Sequence, residues 1–391
     1  MSVFHPTHLQ PIRGLTAGVA LGLLSIGMLL NACGASNSNI SDNQKVTSNN
    51  EVRMFLVGPN SLFGFAADGT TVFESDYDGT DNFDPDDAVA SPNGLNVIAC
   101  GTERHRSKTQ YEHYVVYFDL NGKIKFKHPM TPGLSRCRIA TNDAGTVVAV
   151  ATNWSTSEIV ALDSEGELLW RREYLNSSPQ TGQVVTMLDV VEGPSNGFYT
   201  ASTNYDQEDF ERRITRLDPD GVELGHMAVD VDPTDLSYFE SSDRLMINGI
   251  IPGETLDYAY IGQRITDGDL TEFLQSNAVT RFFDSNLVST ESAAIMSTNS
   301  IVVAAHYATE LGFGTVVRTT DDLETAFTLD SNAIVSPLVA DHLGEALWML
   351  SSDAPHLESG SHSHLVRIEV SKDVRFDVVQ SNLPSGFLAS Q

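Results

Sequence analysis

The sequence predicts an all-β fold, a single β-propeller of seven blades with about four antiparallel strands each. Two repeated features and their spacing carry that reading. The first is a hairpin turn with an aromatic or apolar residue a few positions beyond it. The best copy is Leu162-Asp163-Ser164-Glu165-Gly166 followed by Trp170, and others are Phe65 to Gly69 with Phe73, Phe118 to Gly122 with Phe126, and Leu217 to Gly221 with Leu224. Weaker copies are Phe283-Asp284-Ser285-Asn286-Leu287, Asp321-Asp322-Leu323 with Phe327, and Ile368-Glu369-Val370-Ser371-Lys372 with Phe376. The second is a turn leading into a short apolar, β-branched run, as at Pro92-Asn93-Gly94 before Leu95–Cys100 and Asp143-Ala144-Gly145 before Thr146–Ala151. The turns recur at a mean of roughly 50 residues, a period that belongs to propellers and solenoids.

Each element has a local cause. Asp-Gly and Asn-Gly make tight hairpins because glycine takes positive φ without a Cβ clash. The Asp that stands three residues before Gly122, Gly166 and Gly221 is placed to accept hydrogen bonds from turn N–H groups. The aromatic after the turn suits packing of one blade against the next. Continuously apolar runs, such as Thr146–Ala151 and Ile301–Ala305, fit strands covered on both faces. Short stretches such as Val184–Val190 supply a fourth strand. The competing architecture is a β-sandwich. Within Ile251–Thr280 the fifth unit looks long, with Asp269 placed to cap a short helix through Leu270, Phe273 and Leu274. An insertion of that kind suits a partner-binding or lid element.

The 391 residues carry 23 Lys and Arg against 52 Asp and Glu, a formal charge of −29. Such a surface repels nucleic acid and anionic membrane. Residues 1–32 read as a secretory signal, with Arg13 in the charged region and an apolar stretch from Gly14 to Leu30. Leu30-Asn31-Ala32-Cys33 resembles a bacterial lipobox, which implies acylation at Cys33. An uncleaved anchor and plain secretion are the alternatives. Gly34 after the cysteine implies the outer membrane, by resemblance to lipoprotein sorting. Residues 33–50 are Ser/Asn-rich and read as a flexible tether, leaving 51–391 for the propeller.

The strand, Leu-Asp, Gly turn and Trp-ended strand of Val160–Trp170 resembles the quinoprotein-type propeller repeat. With the lipobox and the size, the chain is distantly similar to the propeller lipoprotein of the outer-membrane β-barrel assembly machine. The resemblance implies a lipid-anchored envelope protein with an envelope protein partner. It does not extend to the quinone cofactor, for which no vicinal cysteines are present.

Several candidate sites stand out. Asp76, Asp78, Asp81 and Asp84 alternate around Gly79, as oxygen ligands for Ca²⁺ do, and Asp230, Asp232 and Asp235 form a weaker version. Apart from that possible Ca²⁺, no cofactor is implied. His356, Glu358, His362 and His364 form a histidine cluster open to metal binding or to simple exposure. Arg104, Arg106, Lys108 and Tyr111 make a local basic and aromatic patch, suited to a partner contact. Cys100 and Cys137 are either a disulfide between neighbouring blades or two buried thiols. Gly193-Pro194-Ser195-Asn196-Gly197 matches a hydrolase pattern, but that motif needs a following helix and here a β-run follows. No nucleotide loop, HExxH or zinc-binding CxxC pattern is present.

The expected function is a monomeric, lipid-anchored, non-catalytic interaction or ligand-binding module. The rivals are an enzyme using the central funnel and a calcium-stabilised surface protein. Both the Arg104–Lys108 loop and Ile251–Thr280 are expected contact surfaces.

Overall fold

The computed structural model describes residues 52–76, 83–103, 112–131, 136–153, 155–175, 183–206, 209–252, 259–282, 290–297, 300–309, 312–319, 325–331, 339–340, 346–352, 363–369, 375–383 and 387–390. These residues form seven four-stranded sheets. The first sheet places β28 (Phe387–Ser390) beside β1 (Met54–Val57), β2 (Ser61–Phe65) and β3 (Thr71–Asp76). The second runs β4 (Phe83–Ala90), β5 (Asn96–Glu103), β6 (Glu112–Asp119), β7 (Ile124–Pro129). The third runs β8 (Arg136–Thr141), β9 (Val147–Thr152), β10 (Thr156–Leu162), β11 (Leu168–Leu175). The fourth runs β12 (Gln183–Glu192), β13 (Phe198–Asp206), β14 (Asp209–Leu217), β15 (Glu223–Val229), and the fifth β16 (Asp232–Phe239), β17 (Arg244–Pro252), β18 (Ala259–Asp267), β19 (Phe273–Phe282). The sixth comprises β20 (Thr290–Ser297), β21 (Ser300–Thr309), β22 (Gly312–Thr319), β23 (Thr325–Ser331), and the seventh β24 (Val339–Ala340), β25 (Ala346–Ser352), β26 (Ser363–Glu369), β27 (Arg375–Leu383).

The innermost strands β28, β4, β8, β12, β16, β20 and β24 each contact the next, and β24 contacts β28. That closes the ring and makes the fold a β-propeller. Closure is sealed where the two ends of the chain share one sheet, with Met54 opposite Ser390 and Val57 opposite Phe387.

The core lies between blades, because strand side chains alternate between faces. Phe55, Val57 and Leu62 pack with Phe83, Val97, Ala99 and Phe118 of the second blade. Their neighbours Met54, Leu56 and Phe63 turn the other way, onto Trp348, Leu350 and Leu365 of the seventh. Ile98, Cys100 and Tyr117 likewise meet Ile139, Ala149 and Val160 of the third. Double-sided burial explains why these strands read as continuous apolar runs. A disulfide joins Cys100 of β5 to Cys137 of β8 across the same seam, with Cα atoms 6.2 Å apart.

The repeated turn closes the third-to-fourth strand hairpin. Gly69, Gly122, Gly166 and Gly221 all take positive φ there. Asp163 Oδ1 accepts from the N–H groups of Glu165 and Glu167 at 2.9 and 2.8 Å. Asp119 serves Asn121 and Lys123 in the same way, each at 2.9 Å. The residue after the turn is a plug in two cases. Phe126 lies against Gly166 of the following blade, and Trp170 lies over Gly221, donating from Nε1 to the Pro219 carbonyl at 2.9 Å. Phe73 instead packs on Gly64 of its own blade, and Leu224 is 57 % exposed.

The fifth blade corrects two expectations. Its outer turn is Asp267 to Glu272, not Phe283–Leu287, which lies outside the described residues. Asp267 Oδ1 accepts from Thr271 and Glu272 at 2.7 and 3.0 Å, and Leu270 at φ 57° fills the left-handed position that glycine holds elsewhere. Asp269 therefore caps no helix, and the described residues of Ile251–Thr280 form no insertion. They contain the end of β17, all of β18 and most of β19, regular strands of the ring.

At Gly221 a built Cβ would stand 2.7 Å from Trp170 Cε2, on a backbone with φ +76°, whereas at Gly225 nothing lies within 4 Å. Gly221→Ala is therefore expected to lower unfolding free energy by about 1–3 kcal/mol. Gly225→Ala is expected to leave it unchanged or raise it by up to about 1 kcal/mol. Urea denaturation of the two variants compares them directly.

Candidate functional site

The inner strands carry a device that links neighbouring blades. β4, β12 and β16 each slip register against their second strand, between Pro85 and Asp87, Met187 and Asp189, and Pro233 and Asp235. Such a bulge re-aims the side chain that follows it. Asp87 Oδ2 accepts from the Ile139 N–H of β8 at 3.0 Å. Asp189 Oδ2 accepts from the Leu236 N–H of β16 at 2.6 Å. Asp235 stands at the corresponding place on β16. The Asp87 and Asp189 carboxylates bind backbone groups of the next inner strand, so they hold those blades together.

Beside them is a polar corner at the inner end of blades two and three. Arg138 of β8 is buried and donates from Nη1 to the Asp86 carbonyl at 3.2 Å. His113 of β6 is buried, with Nε2 3.1 Å from Thr102 Oγ1 and 3.9 Å from Asp86 Oδ2. Burial pushes the Asp86 carboxyl up to about 7, helped by the Asp84 charge and opposed by Arg138 and Arg136. The Asp189 carboxyl is also raised, chiefly by burial, against the pull of Arg138. Burial brings His113 down to about 4, so its ring is neutral near pH 7. The corner can therefore hold a proton on Asp86 at neutral pH.

A second feature lies at one end of the ring. Antiparallel order puts the first-to-second and third-to-fourth turns of every blade at the same end. Contacts between turns agree: Gly268 N–H donates to Asp243 O at 2.9 Å, and Asn142 Nδ2 donates to Asn196 O at 2.6 Å. Large apolar side chains are exposed at this end of three successive outer strands: Leu168 and Leu169, Val222 and Leu224, then Phe273 and Leu274.

The sequence-derived sites fare differently. Asp76 ends β3 and Asp84 lies in β4, while Asp78 and Asp81 fall outside the described residues. Among the described residues no group of three or more His, Cys, Asp or Glu could hold a metal. Asp230 and Asp232 are no cation site: Arg264 bonds Asp230 through Nε and Nη2 at 2.8 and 2.6 Å, and Arg212 pairs with Asp232. Cys33, Arg104, Arg106, Lys108 and Tyr111 lie outside the described residues, as do His356, Glu358 and His362. His364 is half-buried in β26. Ser195 sits exposed at φ 58° in a 3-10 turn, with strand β13 following, which lacks the strand-to-helix setting of a nucleophile. The inner-strand aspartates went unnoticed in the sequence. Their signal is an acidic residue within an otherwise apolar first strand, as in Met187-Leu188-Asp189-Val190.

No family model and no curated protein matches the chain. A solved protein from Lactobacillus plantarum is 12% identical, with a TM-score of 0.54 over 86% of this chain and 99% of that one, a likeness of fold alone. A structure described as the Dos1 propeller is 10% identical with a TM-score of 0.48, covering 85% of this chain and 82% of that one. An uncharacterized protein from Listeria monocytogenes is also 10% identical with a TM-score of 0.48, covering 81% and 88%. Neither of these last two carries an argument.

A carboxyl whose pKa is raised by folding binds its proton more tightly folded than unfolded. Its contribution to stability is present below the unfolded value of about 4 and is lost as pH rises toward the folded value. Asp86's share of stability is thus expected to fall between about pH 4 and its folded value of about 7, while His113, lowered to about 4, works in the opposite sense over the lower part of that window. Asp230, held low by its hydrogen bonds from Arg264, acts the opposite way at lower pH. Asp86→Asn should flatten the slope of unfolding free energy against pH from 4.5 to 7.5 (about the window set by these values). An unchanged slope would refute the role given to Asp86. Asp189→Ala, which strands the Leu236 N–H, should cost about 1–3 kcal/mol near pH 7.

Proposed function

We propose that this propeller is a non-catalytic binding module of the cell envelope, held to a membrane by a lipid on Cys33. One observation carries the binding part. The inner-strand carboxylates are engaged between blades, whereas exposed apolar side chains gather on the outer strands at one end. Patches of that kind mark interaction sites. The signal-like residues 1–32 and the lipobox Leu30–Cys33 support the address. The Cys100–Cys137 disulfide supports an oxidising compartment. Trp170 seated over a glycine of the next blade supports kinship with the quinoprotein-type repeat, and with it a distant likeness to the assembly-machine lipoprotein.

The rival reading is an enzyme working in the central funnel. It draws on Asp86, whose carboxyl is raised to about 7 and lies 3.9 Å from the neutral imidazole of His113. Asp86→Asn leaves a binding module's complexes intact and abolishes turnover in an enzyme of that kind.

Two measurements test the proposal. Cells fed labelled palmitate should label the wild-type chain, and Cys33→Ser should remove the label. Crosslinking in intact cells should recover the wild-type chain in a discrete envelope complex. Label retained by Cys33→Ser defeats the anchor, and a chain that crosslinks to nothing defeats the module.

A further inference from the structure

The outer strands of blades three, four and five repeat one surface pattern. Glu165, Glu167, Leu168 and Leu169 are exposed in the third blade, Asp220, Val222, Glu223 and Leu224 in the fourth, and Asp269, Glu272, Phe273 and Leu274 in the fifth. Each copy sets two carboxylates and two large apolar side chains at the start of the outermost strand. The first two blades differ. Val72 and Phe73 are partly buried in one, and the second has Lys123 and Lys125 around Ile124.

Large apolar groups at 38 to 57 % exposure in three adjacent copies are not accounted for by the core. Asp269 pairs with Arg216, and Glu223 with Arg213 and His226. Glu165, Glu167, Asp220 and Glu272 have no ion pair among the described residues. The patch is therefore apolar with a net negative rim, within which Arg172 reaches the Gly221 carbonyl beside Asp220. Anionic lipid and a second copy of a chain charged −29 are both repelled by such a rim. A surface with apolar anchors ringed by cations fits it.

We infer that this end of blades three to five docks a protein segment whose aliphatic or aromatic side chains are flanked by Lys and Arg. The inference rests on the binding-module reading and names its surface and the chemistry of its partner. The chain enters the fold at Val52, ahead of β1, whose start pairs with Ser390 at the end of β28. That entry is on the same end of the ring. A lipid on Cys33 would tether the chain from this end, so the partner is one within reach of the membrane.

A photoreactive amino acid placed at Leu169 or Leu224 of the full chain, in intact cells, tests this. Leu175 (66 % exposed, at the far end of β11) and Thr102 near the polar corner serve as comparison positions. The expected result is crosslinking at 169 and 224 to peptides with apolar residues flanked by Lys or Arg. Adding Phe273→Ser and Leu274→Ser, exposed changes that leave folding intact, should cut the yield at least about tenfold, as loss of anchor residues does. Lipid adducts, crosslinks to a second copy, or peptides without basic residues at 169 and 224 would overturn the inference. Protein crosslinks confined to Leu175 or Thr102 would also overturn it while sparing the binding module. Silence at all four positions defeats both.

Discussion

Ring closure is the constraint on which everything else depends. Among the described side chains, a blade lends one face to the blade before it and the other to the blade after it, so the core belongs to pairs of blades. Burying a large side chain such as Phe55 or Leu62 contributes roughly 1.5–3 kcal/mol, but only if the facing blade is present. The seam between the seventh and first blades exists because the last strand completes the first sheet. Contacts between chain ends separated by nearly the whole sequence are slow to form. The Cys100–Cys137 bridge fixes one other seam covalently.

Polar groups extend the same logic. Tyr117 Oη donates to the Asp163 carbonyl of the third blade at 3.1 Å. Trp170 reaches the fourth blade's turn, and Tyr199 Oη donates to Gly268 O in the fifth. In each case a side chain of one blade satisfies a turn carbonyl of its neighbour. At the inner end the aspartates bind N–H groups instead. Polar contacts thus sit at both the inner and the outer edge of the apolar seams. They add direction to an interface that apolar packing alone would leave free to slide.

Much of this architecture was legible in the sequence because its causes are local. Gly166 and Gly221 are needed at left-handed turns, Asp163 is needed to bind turn N–H groups, and alternation on two buried faces leaves long apolar runs. Where a local cause was replaced, the reading slipped. Leu270 takes the glycine's conformation in the fifth turn, and Asp267 begins a loop one residue longer than that at Asp163. The site was less legible because it depends on distant residues. Nothing near Asp189 in sequence says that its partner is the Leu236 amide. The apolar copies on blades three to five look like ordinary strand residues until their exposure is known.

The placement of β28 has a consequence for biosynthesis. A ribosome delivers β1 long before Phe387–Ser390, so the first blade waits for the strand that completes it. Until then β1 shows a bare edge of unpaired amides and carbonyls, the kind of template on which stray strands add. A nascent chain of this design must be shielded until Phe387–Ser390 has been made, and loss of those residues would leave the ring permanently ajar.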